Sequence, residues 1–264
     1  MTSSNSSSNP TTVPDFVDLY YAAYYALMTP VIFDIYSYGY IILFILGFLG
    51  NISSTLTFAR KMLRKVSTSI FFLSLSISDS AYLLTCIYDF VQLGLRIPDR
   101  SSADMYQRLC QCRQFIANVA INCSAWTLFS ISADRWIRTR FPAKAKSICT
   151  QRTATITLVF ILLFSAVMNI HFLTPMFGAL IPGYTLMCGP SVYQAYSPYY
   201  NFYMYYWQII QAVVSLVIPG ILMMLALGDM FFNIQKRRQR LAHHGNEEST
   251  ANTLNTVNTA DGSK

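Results

Sequence analysis

The sequence predicts an all-α membrane protein, folded as a bundle of transmembrane helices. Only 12% of its 264 residues are charged and 53% are hydrophobic, whereas a soluble domain carries about 25% charged residues. The apolar residues are also clustered, because no Asp, Glu, Lys or Arg occurs from Thr153 to Gly228. A surface in water would not tolerate so long an uncharged stretch. Spans in lipid are expected to be helices, since a helix satisfies its own backbone polar groups.

Five stretches are long and apolar enough to cross the hydrocarbon, which takes about 20 residues. They lie near Ile32–Phe58, Ser69–Leu93, Cys110–Ile137, Thr153–Leu173 and Phe202–Phe232. Their patterns are not the alternating apolar and polar residues of barrel strands. An earlier aromatic run over residues 15–33 is short and is interrupted by Asp15, Asp18 and Pro30. We interpret it as an extracellular or interfacial segment, with a sixth span as the alternative.

Basic residues predict the orientation, since short cytoplasmic loops carry an excess of Lys and Arg. They cluster after the first, third and fifth spans, while the connection between the second and third spans mixes both signs. We therefore expect the clustered face to be cytoplasmic and the protein to lie in the plasma membrane. The predicted parts are an extracellular tail (1–31), the bundle (32–234) and a disordered cytoplasmic tail (235–264), whose polar composition predicts disorder. The clusters are Arg60, Lys61, Arg64 and Lys65, then Arg135, Arg138, Arg140, Lys144, Lys146 and Arg152, then Lys236, Arg237, Arg238 and Arg240.

Polar residues inside the spans mark candidate sites. An ionisable group at membrane depth is costly and usually faces a protein interior or a water-filled cavity. Asp79 is the deepest, midway along the second span, and Asn51 and Ser124 lie near mid-depth in the first and third. We expect Asp79 to belong to a polar cluster, with a cation as a candidate partner. Asn51 and Ser124 could instead serve only to hold helices together.

Two further features sit nearer the membrane surfaces. Asp134 and Arg135 are adjacent at the end of the third span. Adjacent helical positions do not face one another, so Arg135 can project towards neighbouring helices or a cytoplasmic partner. Taken alone, it would be an arginine reaching back to the interface. In the outer tail, Asn5-Ser6-Ser7 is an N-glycosylation sequon, which makes Asn5 a candidate glycosylation site.

Several short motifs, in order along the chain, resemble those of the rhodopsin-like (class A) G-protein-coupled receptors. Gly50-Asn51 resembles the GN of the first helix, and residues 75–79 (LSISD) resemble the LAxxD of the second. Asp134-Arg135-Trp136 resembles the DRY that ends the third helix, with Trp replacing Tyr. The remaining marks are Cys110 twenty-five residues before Arg135, Pro142 seven residues after it, Cys188 in the following outer loop, and Pro219 in the fifth span.

The resemblance implies a receptor that passes the signal of an extracellular ligand to a heterotrimeric G protein. By this resemblance Asp134 restrains Arg135 in the resting receptor, and helix movement frees Arg135 for the G protein. Trp136 and Pro142 complete this switch. Asp79 and Ser124 match two positions of the family's sodium pocket, with Asn51 in the adjoining network, so a sodium ion is the only cofactor suggested.

The resemblance also implies a disulfide and bears on the class of ligand. Cys110 and Cys188 match the family's extracellular pair, although Cys112 is a rival that the sequence does not exclude. Ala117 stands where amine receptors carry an aspartate, which favours a peptide over an amine as ligand. The tyrosines of the fourth connection could line a peptide site or form an interfacial aromatic belt; they are Tyr184, Tyr193, Tyr196, Tyr199 and Tyr200. We expect membrane lipids and a receptor dimer as further partners, and neither catalysis nor nucleic-acid binding.

The chain departs from the family's pattern in three ways. The tryptophan of the fourth helix is absent, and Leu227 replaces a tyrosine of the fifth. The sequence resembles only five of the seven helices and stops in what resembles the third cytoplasmic loop, so we expect a receptor truncated after its fifth helix. One alternative is a five-span variant that pairs with full-length receptors as a dominant-negative partner. A transporter or channel is disfavoured, since no repeats or broken helices recur in corresponding halves.

Overall fold

The computed structural model of the protein describes residues 30–60, 62, 66–95, 97, 102–178, 188–190, 197–236 and 238–239. Five helices among these residues are long and apolar enough to cross a membrane. The described part contains no strand and has one isolated bridge, between Phe177 and Pro190. The predicted all-α membrane fold is therefore confirmed. The Asn5 sequon and most of the predicted 235–264 tail lie outside the described residues, but the last helix continues to Lys236, inside the segment predicted to be disordered.

The helices are labelled here in chain order. Short turns of π-helix or 3₁₀-helix extend or interrupt three of them. The bounds are α1 (Pro30–Phe58), α2 (Ser67–Asp89, continued by the π turn Phe90–Gly94), α3 (Ala103–Arg140), α4 (Pro142–Ile148), α5 (Gln151–Asn169, continued by the 3₁₀ turn Ile170–Leu173) and α6 (residues 197–236, with π turns at Phe202–Trp207 and Val213–Val217).

Each predicted span lies almost entirely within one of these helices, but the helices are longer. Helix α3 begins at Ala103, several residues before the predicted start, with Asp104 in its first turn. Hydropathy indicates only the part of a helix that lies inside the hydrocarbon, so it does not predict the charged helical turns outside the membrane. Asp104, Arg108 and Arg113 thus belong to α3 and not to the connection before it. Helix α1 likewise begins at Pro30, inside the segment predicted to be extracellular or interfacial.

Local sequence explains where two of the helices begin. Proline suits the first helical position because its missing N–H would have no helical partner there. Pro142 occupies this place in α4, a short helix that hydropathy does not reveal. Thr150 caps α5 by accepting a hydrogen bond from the Thr153 backbone N–H at 3.2 Å.

Helix α3 is the centre of the bundle. It packs against α2, α5 and α6, whereas α1 packs on the far side of α2. Gly47 permits the close approach of α1, because a Cβ there would lie 2.7 Å from the Leu83 Cδ1 atom. We call the end where α1, α3 and α6 finish the basic end, since it carries Arg135, Arg138 and Arg140.

The opposite end, which we call the disulfide end, is closed by a bond between Cys110 and Cys188. Cys110 is buried with Phe172, Phe177 and Trp207, a cluster that ties α3 to the ends of α5 and α6. Gly178 lies beside the disulfide with a φ of 70°, and a Cβ there would be 3.1 Å from the Cys110 Sγ atom. The rival Cys112 is a free, exposed cysteine.

We predict that Cys110→Ser and Cys188→Ser each destabilise the protein by about 4 kcal/mol, because the bond closes a loop between residues 78 apart. Thermal unfolding of the purified protein in detergent measures this. The double variant should be no less stable than either single variant, and Cys112→Ser should unfold like the unmodified chain. A loss in Cys112→Ser equal to that in Cys188→Ser would refute the pairing.

Candidate functional site

The Asp134 carboxylate, at the basic end of α3, is enclosed by donors from its own helix and from the start of α2. The residue is 5% exposed. The Ser67 hydroxyl donates to Oδ1 at 2.8 Å and the Thr68 hydroxyl to Oδ2 at 2.7 Å. Arg138 donates from Nε to Oδ2 at 2.9 Å and from NH2 to the Ser67 hydroxyl oxygen at 2.8 Å. The carboxylate thus fixes the first turn of α2 against α3.

The structure does not pair Asp134 with Arg135, the contact that the resemblance implied. Adjacent residues of a helix diverge by about 100° around its axis, so Arg135 leaves the helix on another side. Its guanidinium carbon lies 5.9 Å from the centre of the Phe72 ring, and the residue is exposed. Arg138, one turn further on, is the ion partner of Asp134. An acid followed four residues later by a base is a pattern that the sequence already contained.

Trp136 links α3 to α6, a contact that sequence reasoning missed. Its indole Nε1 donates to Asp229 Oδ2 at 2.7 Å. Asn233 donates from Nδ2 to the same oxygen at 2.9 Å, and Arg140 donates to Asn233 Oδ1 at 2.5 Å. We call Trp136, Arg140, Asp229 and Asn233 the α3–α6 bridge. The available signal was that Asp229 is the acid that ends the long uncharged stretch of the sequence.

Pro142 contributes by starting α4, which returns the chain towards Asp134. At the end of α4, Arg138 NH2 donates to the Cys149 carbonyl at 3.3 Å. The Cys149 thiol also lies 3.9 Å from the Asp134 carbonyl oxygen. Burial, assisted by the contact with Asp134, raises the pKa of the Cys149 thiol, so this cysteine stays protonated at neutral pH.

Midway through the bundle, Asp79 and Ser124 meet as the sequence predicts. The Ser124 hydroxyl donates to Asp79 Oδ1 at 2.6 Å and joins α2 to α3. Within the described residues, no hydrogen bond connects Asn51 to this pair. The Asp79 carboxylate and the Ser124 hydroxyl offer oxygen ligands, which a hard cation prefers. Such a cation takes about six oxygen ligands in all. Asp79 and Ser124 therefore fit part of such a site, and backbone oxygens or water would have to supply the rest.

Asn122 is a second mid-membrane residue that sequence reasoning passed over. It is completely buried in α3, and its Oδ1 accepts a hydrogen bond from the Ser215 hydroxyl of α6. Ser215 lies in the π turn Val213–Val217, just before Pro219. Proline offers no N–H to the carbonyl one turn earlier, and a π turn is one way a helix absorbs that loss. The predicted proline thus coincides with an irregular turn that presents Ser215 to α3.

Near the disulfide end, charged and aromatic groups lie between the helices. Asp89 forms an ion pair with Arg113, whose guanidinium carbon also lies 5.0 Å from the centre of the Tyr88 ring. On α5, His171 Nδ1 is 2.9 Å from the Tyr199 hydroxyl. Of the tyrosines considered for a peptide site, Tyr199 and Tyr200 begin α6, and those at 184, 193 and 196 lie outside the described residues.

We predict that Asp229→Leu lowers the stability of the protein by about 1–3 kcal/mol, because it leaves the Trp136 indole N–H without its acceptor. Asp229→Asn keeps an acceptor oxygen and should lose less. In a Trp136→Phe background, which lacks the indole N–H, the difference in stability between Asp229→Leu and Asp229→Asn should be smaller. Thermal unfolding in detergent distinguishes these results, and equal losses in both backgrounds would show that the bridge does not form.

The chain is similar in sequence to known receptors. A profile of the 7 transmembrane receptor (rhodopsin family) matches residues 50–260. The chain is 27% identical over 121 residues to the galanin-like G-protein coupled receptor npr-9 of Caenorhabditis elegans, which is 46% of this chain and 27% of that receptor. It is 25% identical over 113 residues to galanin receptor type 2 of Mus musculus, or 43% of this chain and 29% of the receptor. It is 29% identical over 112 residues to the KiSS-1 receptor of Homo sapiens, or 42% of this chain and 27% of the receptor.

These matches settle the class of protein. The chain covers between 27% and 29% of the length of these relatives, while the family profile covers most of the chain. The family consists of receptors and not of enzymes, which confirms the expectation that the chain is not an enzyme. With its five apolar helices, this is an integral membrane protein, and it belongs to the rhodopsin family of seven-transmembrane receptors.

Proposed function

We propose that the protein transduces an extracellular ligand to a heterotrimeric G protein, from the plasma membrane and with its N-terminus outside. The observation that carries this proposal is the arrangement at the basic end. Arg135 is exposed and lies apart from the Asp134–Arg138 pair, while Trp136 and Arg140 hold α6. A helix held by only a few hydrogen bonds can change position, and an exposed arginine beside it is available to bind a protein partner when it does.

The orientation rests on charge. Arg135, Arg138, Arg140, Lys144 and Lys146 all lie at or just beyond the basic end of α3. Basic residues are retained on the cytoplasmic side, where the leaflet is anionic. The same charges would attract an acidic surface on a G protein. The disulfide end would then face the oxidising exterior, which allows the Cys110–Cys188 bond to persist.

Activation would require α6 to move relative to α3. The α3–α6 bridge opposes that movement with the bonds from Trp136 to Asp229 and from Arg140 to Asn233. A ligand that favours a displaced α6 at the disulfide end would have to overcome these bonds. Such a ligand biases two states of one element and does not create a new one. A sodium ion at Asp79 and Ser124 would add a further link between α2 and α3.

A peptide is the proposed class of ligand. Ala117 offers no carboxylate to an amine's ammonium group. The relatives compared above are named as galanin and KiSS-1 receptors, which are receptors for peptides. At the disulfide end, the Asp89–Arg113 pair and the His171–Tyr199 contact supply polar groups among aromatic rings. A peptide carries polar backbone and apolar side chains together, which matches this mixture.

We predict that Arg135→Ala lowers ligand-independent association with a G protein by about tenfold, roughly the effect of losing one charge-assisted contact. Trp136→Phe should raise it, because this change removes the hydrogen bond to Asp229 that holds α6 against α3. Energy transfer between the labelled protein and labelled G-protein subunits in cells measures both. Arg60→Ala, a charge change at the same end just after α1, is the matched control. Equal effects of Arg60→Ala and Arg135→Ala would contradict the proposal.

A further inference from the structure

A groove of about 830 Å³ opens between α2 and α5 at the basic end of the bundle. The α2 side of the groove is apolar, whereas the α5 side combines polar side chains with one isoleucine, so the groove suits an amphiphilic ligand. The polar residues belong to the first turns of α5, and Ile156 beside them is 59% exposed. The lining residues are Ile70, Leu73, Gln151, Arg152, Thr155 and Ile156.

Arg152 is the charge that this groove leaves uncompensated. The residue is exposed, and no hydrogen bond or ion pair to its guanidinium occurs within the described part of the chain. No acidic side chain is found among the described residues that line the groove. The Asp134 carboxylate is already bonded to Ser67, Thr68 and Arg138. A guanidinium at a membrane surface without a protein partner favours an anion, and its planar fork suits the two oxygens of a phosphate.

The rest of the groove agrees with a negatively charged head group. Helix α5 begins at Gln151, so its first backbone N–H groups point out of the helix and add positive character. The Thr155 hydroxyl donates to the Gln151 carbonyl at 3.0 Å, so Arg152 and the backbone N–H groups are the donors left to the anion. Ile70, Leu73 and Ile156 then provide an apolar surface for the start of an acyl chain. None of the described residues that line the groove is aromatic, so they give a flat sterol ring nothing to stack against.

We propose that this groove binds an anionic phospholipid, with its phosphate at Arg152 and its acyl chain along Ile70, Leu73 and Ile156. The lipid would come from the cytoplasmic leaflet, an assignment that rests on the orientation in the proposed function. Charge complementarity is the argument for this occupant over a neutral lipid. A bound lipid would join the start of α5 to α2, the helix whose first turn also holds Asp134.

Native mass spectrometry of the full chain in detergent tests the proposal with dioctanoyl phosphatidylserine and dioctanoyl phosphatidylcholine as probes. The unmodified chain should retain the serine lipid at lower concentration than the choline lipid. Arg152→Gln should weaken retention of the serine lipid by about fivefold, the effect of one basic side chain near an anionic surface. Arg238→Gln, the same change just beyond the end of α6 and outside the groove, should leave retention unchanged.

A second variant separates the groove from its charge. Thr155→Trp fills the space between α2 and α5 while keeping Arg152, and it should also weaken retention of the serine lipid. Equal retention of the two lipids, equal effects of Arg152→Gln and Arg238→Gln, or no effect of Thr155→Trp would each overturn the proposal. The readout is lipid retention and not signalling, so a failure to couple to a G protein would leave this result standing.

Discussion

Polar side chains buried between helices in lipid must find partners within the bundle, and here those partners repeatedly meet on α3. The hydrophobic effect does little to drive helices together in lipid, so van der Waals packing and hydrogen bonds between helices contribute more to their association. Five polar side chains of α3 each form a hydrogen bond or an ion pair with another helix. From the disulfide end to the basic end, these contacts are Arg113–Asp89, Asn122–Ser215, Ser124–Asp79, Asp134 with Ser67 and Thr68, and Trp136–Asp229. Helix α3 is therefore the element against which α2 and α6 are positioned.

The contacts at the basic end fall into two separate groups. Asp134 and Arg138 hold the start of α2, and the α3–α6 bridge holds the end of α6. Arg135 lies over Phe72 and belongs to neither group. In the proposed receptor, α6 could therefore leave α3 while Asp134 keeps α2 in place. Trp136 and Arg140 therefore restrain α6. Asp134 instead fixes α2 to α3, two helices that need not separate.

The sequence predicts the features that depend on local composition. Hydropathy locates the five spans because each needs only its own residues to be apolar, and Asp79 and Ser124 are recognisable because polar groups are costly in lipid. The start of α3 at Ala103 escapes this reasoning, since a helix that continues into water has no hydropathy signal. The contact from Trp136 to Asp229 joins residues 93 apart, and it depends on the rotation of two helices about their axes. The Asp134–Arg138 pair could have been predicted from its acid-to-base spacing of four residues, but the family pattern indicated Arg135 instead.

In this structure Asp134 is paired with Arg138 and not with Arg135. A double-mutant cycle on thermal stability tests it most directly, using Asp134→Asn with Arg138→Gln and, separately, with Arg135→Gln. The structure predicts a coupling energy of about 1 kcal/mol between Asp134 and Arg138, as expected for a charged hydrogen bond from a partly exposed arginine to a buried carboxylate, and additive effects for Asp134 and Arg135. Coupling to Arg135 with additivity at Arg138 would contradict the account.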